Sequence, residues 1–206
     1  GDAITTFSHN VGIGFRALSA QLSSSDGANT LIGSEAGKQL TGSYNTGVGR
    51  RVMDGQVAGD YNTAIGSDAL GGAVTGGSNT AVGEKALLGL TSGTFNTAVG
   101  RGALKTNTGS YNTAVGYEAG DLHNSGSSNV IIGALVESAS TTASASVTIG
   151  YNAPGYSSGW FTVVDPDGKS YIEPGQTSWS GTSDAGYKEN IATSTAGLSF
   201  INDLRP

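Results

Sequence analysis

Asn62-Thr63-Ala64-Ile65-Gly66-Ser67-Asp68-Ala69-Leu70 is followed by Asn79-Thr80-Ala81-Val82-Gly83-Glu84-Lys85-Ala86-Leu87, and that by Asn96-Thr97-Ala98-Val99-Gly100-Arg101-Gly102-Ala103-Leu104. One unit is being repeated: Asn-Thr-Ala-Val-Gly, two variable residues, then Ala-Leu. Self-similarity at a fixed period bears on architecture before any other signal does. Outward from these three copies, the leading Asn recurs at 10, 29, 45, 62, 79, 96, 112 and 129, in steps of 19, 16, 17, 17, 17, 16 and 17, and Ser146 takes the next place. Eight of the 13 Asn in the chain share this register, which chance does not produce.

Within a unit, Thr and Val lie two apart, so on an extended backbone they share one face while Asn, Ala and Gly share the other. The first column runs Val11, Thr30, Thr46, Thr63, Thr80, Thr97, Thr113, Val130, Val147, and the second Ile13, Ile32, Val48, Ile65, Val82, Val99, Val115, Ile132, Ile149. Every member is β-branched, which favours strand over helix. Gly follows the second column without exception, at 14, 33, 49, 66, 83, 100, 116, 133 and 150, marking a corner that needs positive φ or admits no Cβ. A strand and a Gly corner every 16 to 17 residues leave no room for a crossover helix, so the units stack as coils of a parallel β-solenoid. Nine coils at about 4.8 Å each make a rod of roughly 43 Å. With the two β-branched side chains of each coil turned inward, the core is too thin to offset the ordering of its backbone. The Ala/Gly face, with Ala64, Ala81, Ala98 and Ala114, would then pack against identical chains, which predicts an obligate homo-oligomer.

Composition agrees. Of 206 residues 34 are Gly, only 13% are charged and 4 are Pro, which suits neither a helical bundle nor a coiled coil. There is no Cys, hence no disulfide and no thiolate metal site. A formal charge of −6 with 10 scattered cations argues against a nucleic-acid partner and an anionic membrane surface. The longest apolar stretch, residues 130–136, is too short to span a bilayer, so no membrane insertion is expected. The chain opens at Gly1 without a Met-initiated basic and apolar leader, which reads as a fragment of a longer chain.

Over residues 9–153 the repeated Asn-Thr-Ala-Val-Gly, followed two residues later by Ala, resembles the head repeats of YadA-like trimeric autotransporter adhesins, and more closely related repeats in trimeric phage tail fibres. That resemblance implies a left-handed parallel β-roll with three chains around one axis. The adhesin repeat is somewhat shorter, so the corner after Ala-Leu is expected to be looser here. A second resemblance lies in Ser183-Asp184-Ala185-Gly186-Tyr187-Lys188-Glu189-Asn190-Ile191, with Gly197-Leu198-Ser199-Phe200-Ile201-Asn202-Asp203-Leu204-Arg205-Pro206 behind it. This is similar to the opening of the S74-type intramolecular chaperone domain, which drives trimer assembly of tail fibres and in many cases releases itself by autocleavage. Carried over, Ser183 is the nucleophile and Lys188 its base; a desolvated Lys can take the proton from a Ser hydroxyl. Gly186 stands where that family usually has Arg.

The resulting organisation is an all-β solenoid shaft over 1–153, a β-rich stalk over 154–182, and over 183–206 the truncated first segment of an α/β chaperone domain, with a helix expected over 198–204. In the stalk, residues 161–164 and 170–173 flank Asp165-Pro166-Asp167-Gly168-Lys169 as a β-hairpin, and Trp160 and Trp179 would anchor it.

Other motif matches read as ordinary structure. Gly12-Ile13-Gly14-Phe15-Arg16-Ala17 fits a dinucleotide fingerprint, but the same corner recurs in each coil without a helix. Gly155-Tyr156-Ser157-Ser158-Gly159 fits a nucleophile elbow, yet His9 and His123 both precede it. Asp165 and Asp167 would leave Lys169 and Gln176 at calcium-ligand positions. No metal or cofactor is expected. The Asn column, including Asn62, Asn79, Asn96 and Asn112, and the Gly column, including Gly66, Gly83, Gly100 and Gly116, are expected to be structural, with the amides bonding along the stack. Tyr44, Tyr61, Phe95 and Tyr111, interrupted by Ser78, form an aromatic column that either packs on itself or stacks on glycan rings of a host surface.

Three functions compete. A homotrimeric viral tail fibre or spike on the virion surface would display a host-receptor-binding face and join other virion proteins. A bacterial surface adhesin would need a C-terminal membrane barrel, where this chain carries the chaperone-like segment. A polysaccharide-degrading tailspike would need paired carboxylates, whereas Glu35, Asp68, Glu84 and Glu118 fall at repeat-equivalent variable positions. The fibre is the expected function, without enzymatic turnover beyond autocleavage near Ser183.

Overall fold

The computed structural model describes residues 9–19, 27–122, 124–137, 141–153, 158–165, 168–172 and 180–181. They form one sheet of twelve strands in chain order: β1 (Val11–Ile13), β2 (Thr30–Ile32), β3 (Thr46–Val48), β4 (Thr63–Ile65), β5 (Thr80–Val82), β6 (Thr97–Val99), β7 (Thr113–Val115), β8 (Val130–Ile132), β9 (Val147–Ile149), β10 (Phe161–Asp165), β11 (Gly168–Ile172) and β12 (Ser180–Gly181). β1 to β10 pair parallel, and the register sets each column on itself: Thr63 on Thr80, Thr97 and Thr113, and Ile65 on Val82, Val99 and Val115. Eight turns therefore separate β1 from β9, a parallel β-solenoid, and no helix occurs among the described residues. β10 extends the ladder beside β9, then turns back through the hairpin β10–β11, where Asp165 faces Gly168.

Each strand of the coil ends after three residues because the next residue is a Gly that turns the chain. At Gly83 φ is +130°, and a Cβ would lie 2.5 Å from the carbonyl carbon and oxygen of Gly100 one coil on. All nine corner glycines have φ between +124° and +151°. Coils at strand spacing leave no gap there for a side chain.

The faces are reversed from the expectation above. The middle residue of each strand points into the coil: Leu31, Ala64, Ala81, Ala98 and Ala114 are fully buried. The flanking β-branched columns point out, with Ile13 57% and Ile65 44% exposed. The cause is the opposite wall. Three and four residues after the corner, Ala69-Leu70, Ala86-Leu87 and Ala103-Leu104 are buried completely, and Leu40, Val57, Val74 and Leu90 close the third side. A coil lined by Leu on its arc has room for Ala on its strand, not for two β-branched chains. Where β2 instead presents Leu31, the arc carries Gly37, at which a Cβ would come within 2.9 Å of Leu31 Cγ. Size is thus exchanged across the coil at near-constant filling.

Candidate functional site

The Asn column faces inward and is buried along its length. Between neighbouring coils the carboxamide oxygen accepts the backbone N–H of the next Asn: Asn62 N to Asn45 Oδ1 at 2.8 Å, Asn79 N to Asn62 Oδ1 at 2.9 Å, Asn96 N to Asn79 Oδ1 at 3.0 Å and Asn112 N to Asn96 Oδ1 at 3.0 Å. The amide nitrogen donates to a carbonyl of the next coil, from Asn45 to Gly59 at 3.0 Å, Asn79 to Gly93 at 3.0 Å and Asn96 to Gly109 at 2.9 Å. Only a side chain with both a donor and an acceptor at this reach serves both groups. The glycines that accept these bonds form a second column, Gly42, Gly59, Gly76, Gly93, Gly109 and Gly126, three residues before each Asn. At Gly76 a Cβ would lie 1.9 Å from the Gly93 oxygen. Sequence reasoning passed over this column although its period is the same.

The outer face carries two arrays. Val11, Ile13, Ile32, Val48, Ile65, Val115 and Ile132 are 36–57% exposed, a contiguous apolar ladder on a sheet whose backbone is already paired. Beside it, the residue before each Asn adopts left-handed φ, +57° at Tyr44, +59° at Tyr61, +60° at Ser78, +57° at Phe95 and +60° at Tyr111. The rings point to solvent and stack: Tyr44 on Tyr61 at 4.9 Å between centroids and 4° between planes, Phe95 on Tyr111 at 5.1 Å and 12°.

The acidic residues at repeat-equivalent positions engage cations. Asp68, 6% exposed, accepts from Arg51 Nε at 2.7 Å and from Ser67 Oγ at 3.0 Å, with Arg50 3.7 Å away. Burial pushes its carboxyl up, but these hydrogen bonds and charges outweigh burial and hold it below the ordinary aspartate value. Glu35 contacts Lys38 at 3.7 Å, and Arg101 lies 3.4 Å from Glu84 and 3.8 Å from Glu118. The Asp68 and Arg101 pairs link neighbouring coils along one edge, while Glu35 and Lys38 lie in the same coil. Glu137 differs: burial, then the hydrogen bond and charge of Asp121, push it up to about 8. It lines an open cleft with Leu135, Asn152 and Ala153. Among the described residues no group of three or more His, Cys, Asp or Glu could hold a metal ion, and no helix is long and apolar enough to cross a membrane.

His9 is exposed, and Trp160 is half-buried beside β10. Ser183, Lys188, the expected helix over 198–204, Trp179 and His123 lie outside the described residues. Comparison with protein families, with curated proteins and with solved structures returned no match.

Proposed function

We propose that this chain is a segment of a homotrimeric viral tail fibre or spike, carried on the virion surface. In this reading it displays a host-recognition face on a stiff shaft and is assembled by a C-terminal intramolecular chaperone. The observation that supports it most is the outward β-branched ladder. A single chain leaves this apolar stripe in water along the whole solenoid, and large exposed apolar patches mark interaction surfaces. Identical columns at one repeat suit a rotationally related copy of the same surface. The number three, the left-handed roll and the chaperone role of 183–206 rest on the resemblances. Antibodies raised against the shaft are expected to decorate slender appendages of virus particles; labelling of a bacterial envelope would favour the surface-adhesin reading instead. A version extended at the C-terminus through a complete chaperone domain is expected to shorten near Ser183, and Ser183→Ala to prevent it. Persistence of the full-length wild type would count against the autocleavage dyad of Ser183 and Lys188.

A further inference from the structure

We propose that the break in the aromatic column at Ser78 is a ring-binding slot, formed by Tyr61 below and Phe95 above, that takes one neutral hexopyranose unit of a glycan. This deepens the adhesive-fibre reading and rests on it for biological role. The backbone does not break at Ser78. Tyr61 N donates to Ser43 O at 3.1 Å, Ser78 N to Asp60 O at 2.9 Å, Phe95 N to Gly77 O at 3.3 Å and Tyr111 N to Thr94 O at 2.9 Å. Since φ stays between +57° and +60° from Tyr44 to Tyr111, each Cβ leaves its coil in the same direction. The column therefore lacks one ring and nothing else. Two coil spacings of about 4.8 Å put the Tyr61 and Phe95 rings about 10 Å apart. A ring inserted midway sits about 5 Å from each, the spacing at which the column already stacks and within the range of favourable ring pairs.

A second interruption falls on the same coil. At four of the equivalent positions before the column a side chain accepts from the neighbouring backbone: Asp60 Oδ1 from Ser43 N at 2.7 Å, Ser110 Oγ from Thr94 N at 3.0 Å, Ser127 Oγ from Ser110 N at 3.1 Å and Ser144 Oγ from Ser127 N at 3.0 Å, while Ser43 and Thr94 carry side chains without this bond. At this coil it is Gly77, where a Cβ would come within 2.6 Å of Asp60 O. Gly77 and Ser78 together make a notch without bulk, walled by two exposed rings, Tyr61 at 63% and Phe95 at 54%.

The chemistry around the notch selects among ring-shaped ligands. Residues 54–63, 71–80 and 88–97, the arcs that frame it, contain no Lys or Arg, while Asp54 and Asp60 are acidic. A phosphate, a nucleotide or an acidic sugar would meet no cation there, and the whole chain carries −6. Thr75, Ser92 and Asp60 are exposed on the same arcs and offer hydroxyl and carboxylate partners to sugar hydroxyls, while the C–H face of a pyranose suits the rings.

The test is saturation-transfer NMR on the assembled protein with the neutral sugars maltotriose, cellotriose and triacetylchitotriose, and with a single-stranded oligothymidylate as the competing ring ligand. Wild type is expected to bind at least one of the sugars and not the oligonucleotide. Ser78→Tyr supplies the missing ring, copying a residue that the column carries at the same φ, and is expected to weaken sugar binding at least tenfold. Tyr61→Ala, which removes one wall, is expected to do the same and reads the slot independently if Ser78→Tyr folds poorly. Absence of sugar binding, equal sugar binding by wild type and the variants, or binding of the oligonucleotide instead would overturn the proposal. A fibre of unchanged mass under any of those results would leave the structural reading standing.

Discussion

Replacing Asn79 by Ala removes one rung of the inner amide ladder, and the structure says what it leaves behind. The Asn79 oxygen accepts from Asn96 N at 3.0 Å and Asn96 Nδ2 at 3.1 Å, and its amide nitrogen donates to Gly93 O at 3.0 Å and Asn62 Oδ1 at 3.1 Å. After truncation the Asn96 N–H and the Gly93 carbonyl, both buried, lose their partners. A buried backbone group left without its partner costs about 1–3 kcal/mol, so the pair predicts a loss of about 4 kcal/mol. At about 2–4 °C per kcal/mol for a chain of this size, that lowers Tm by about 10 °C. Because each coil bonds only to its neighbours, the damage is local. Hydrogen exchange resolved by residue is therefore the assay, together with urea unfolding. The Asn96 amide should exchange at least a hundredfold faster, while amides of β2 and β8 keep their protection. Asn124→Ala, at an exposed position outside the ladder, is the control and is expected to be near neutral. If Asn79→Ala unfolds within about 0.5 kcal/mol of wild type, or Asn96 exchanges unchanged, the ladder does not hold the coils together as argued.

Three further outcomes follow from the same geometry. Gly83→Ala combines a φ of +130° with a Cβ 2.5 Å from Gly100 and is expected to cost about 3 kcal/mol or more, whereas exposed Glu84→Ala is expected to cost under about 1 kcal/mol; equal losses in denaturant unfolding would undo the corner argument. Ile65→Asp and Val115→Asp place charge on the outward ladder and are expected to dissociate the assembly while circular dichroism retains the strand signal; loss of the strand signal would mean that this face belongs to the chain's own core. Glu137, raised to about 8, keeps its proton in the folded chain where the unfolded chain has lost it. Its contribution is complete below the ordinary glutamate value of 4.5 and is lost as pH rises through about 8. Glu137→Gln should flatten that decline in a Tm series, and an unchanged slope would refute the assignment.

Period, strand positions and the corner were legible in the sequence because each depends on contacts between equivalent residues of adjacent coils. Stacking turns those contacts into columns that can be counted. The orientation of the strands was not legible from alternation, since Thr63 and Ile65 differ from Ala64 only by side. What decides the side is the filling of the coil by Leu70, Leu87 and Leu104 on the far wall, a contact between non-equivalent positions. The left-handed backbone of Glu35, Asp68, Lys85 and Glu118, with φ from +51° to +60°, was hidden as well. Glu and Lys give no local signal for that conformation, and Asp is only modestly favoured in it. They are held in it by bonds between coils, such as Asp68 N to Arg50 O at 3.0 Å and Lys85 N to Ser67 O at 3.0 Å. Tertiary structure overrides propensity there. The aromatic column was visible as spacing, but that its rings stack in pairs on either side of an empty rung appeared only in three dimensions.

Sedimentation equilibrium of the purified chain under native conditions tests most directly whether this slender stack covers its outward ladder with copies of itself. The mass is expected to be three times the 20.5 kDa of one chain, unchanged on dilution through the micromolar range. A stably folded species at 20.5 kDa, with the strand signal intact and the ladder open to water, would contradict it.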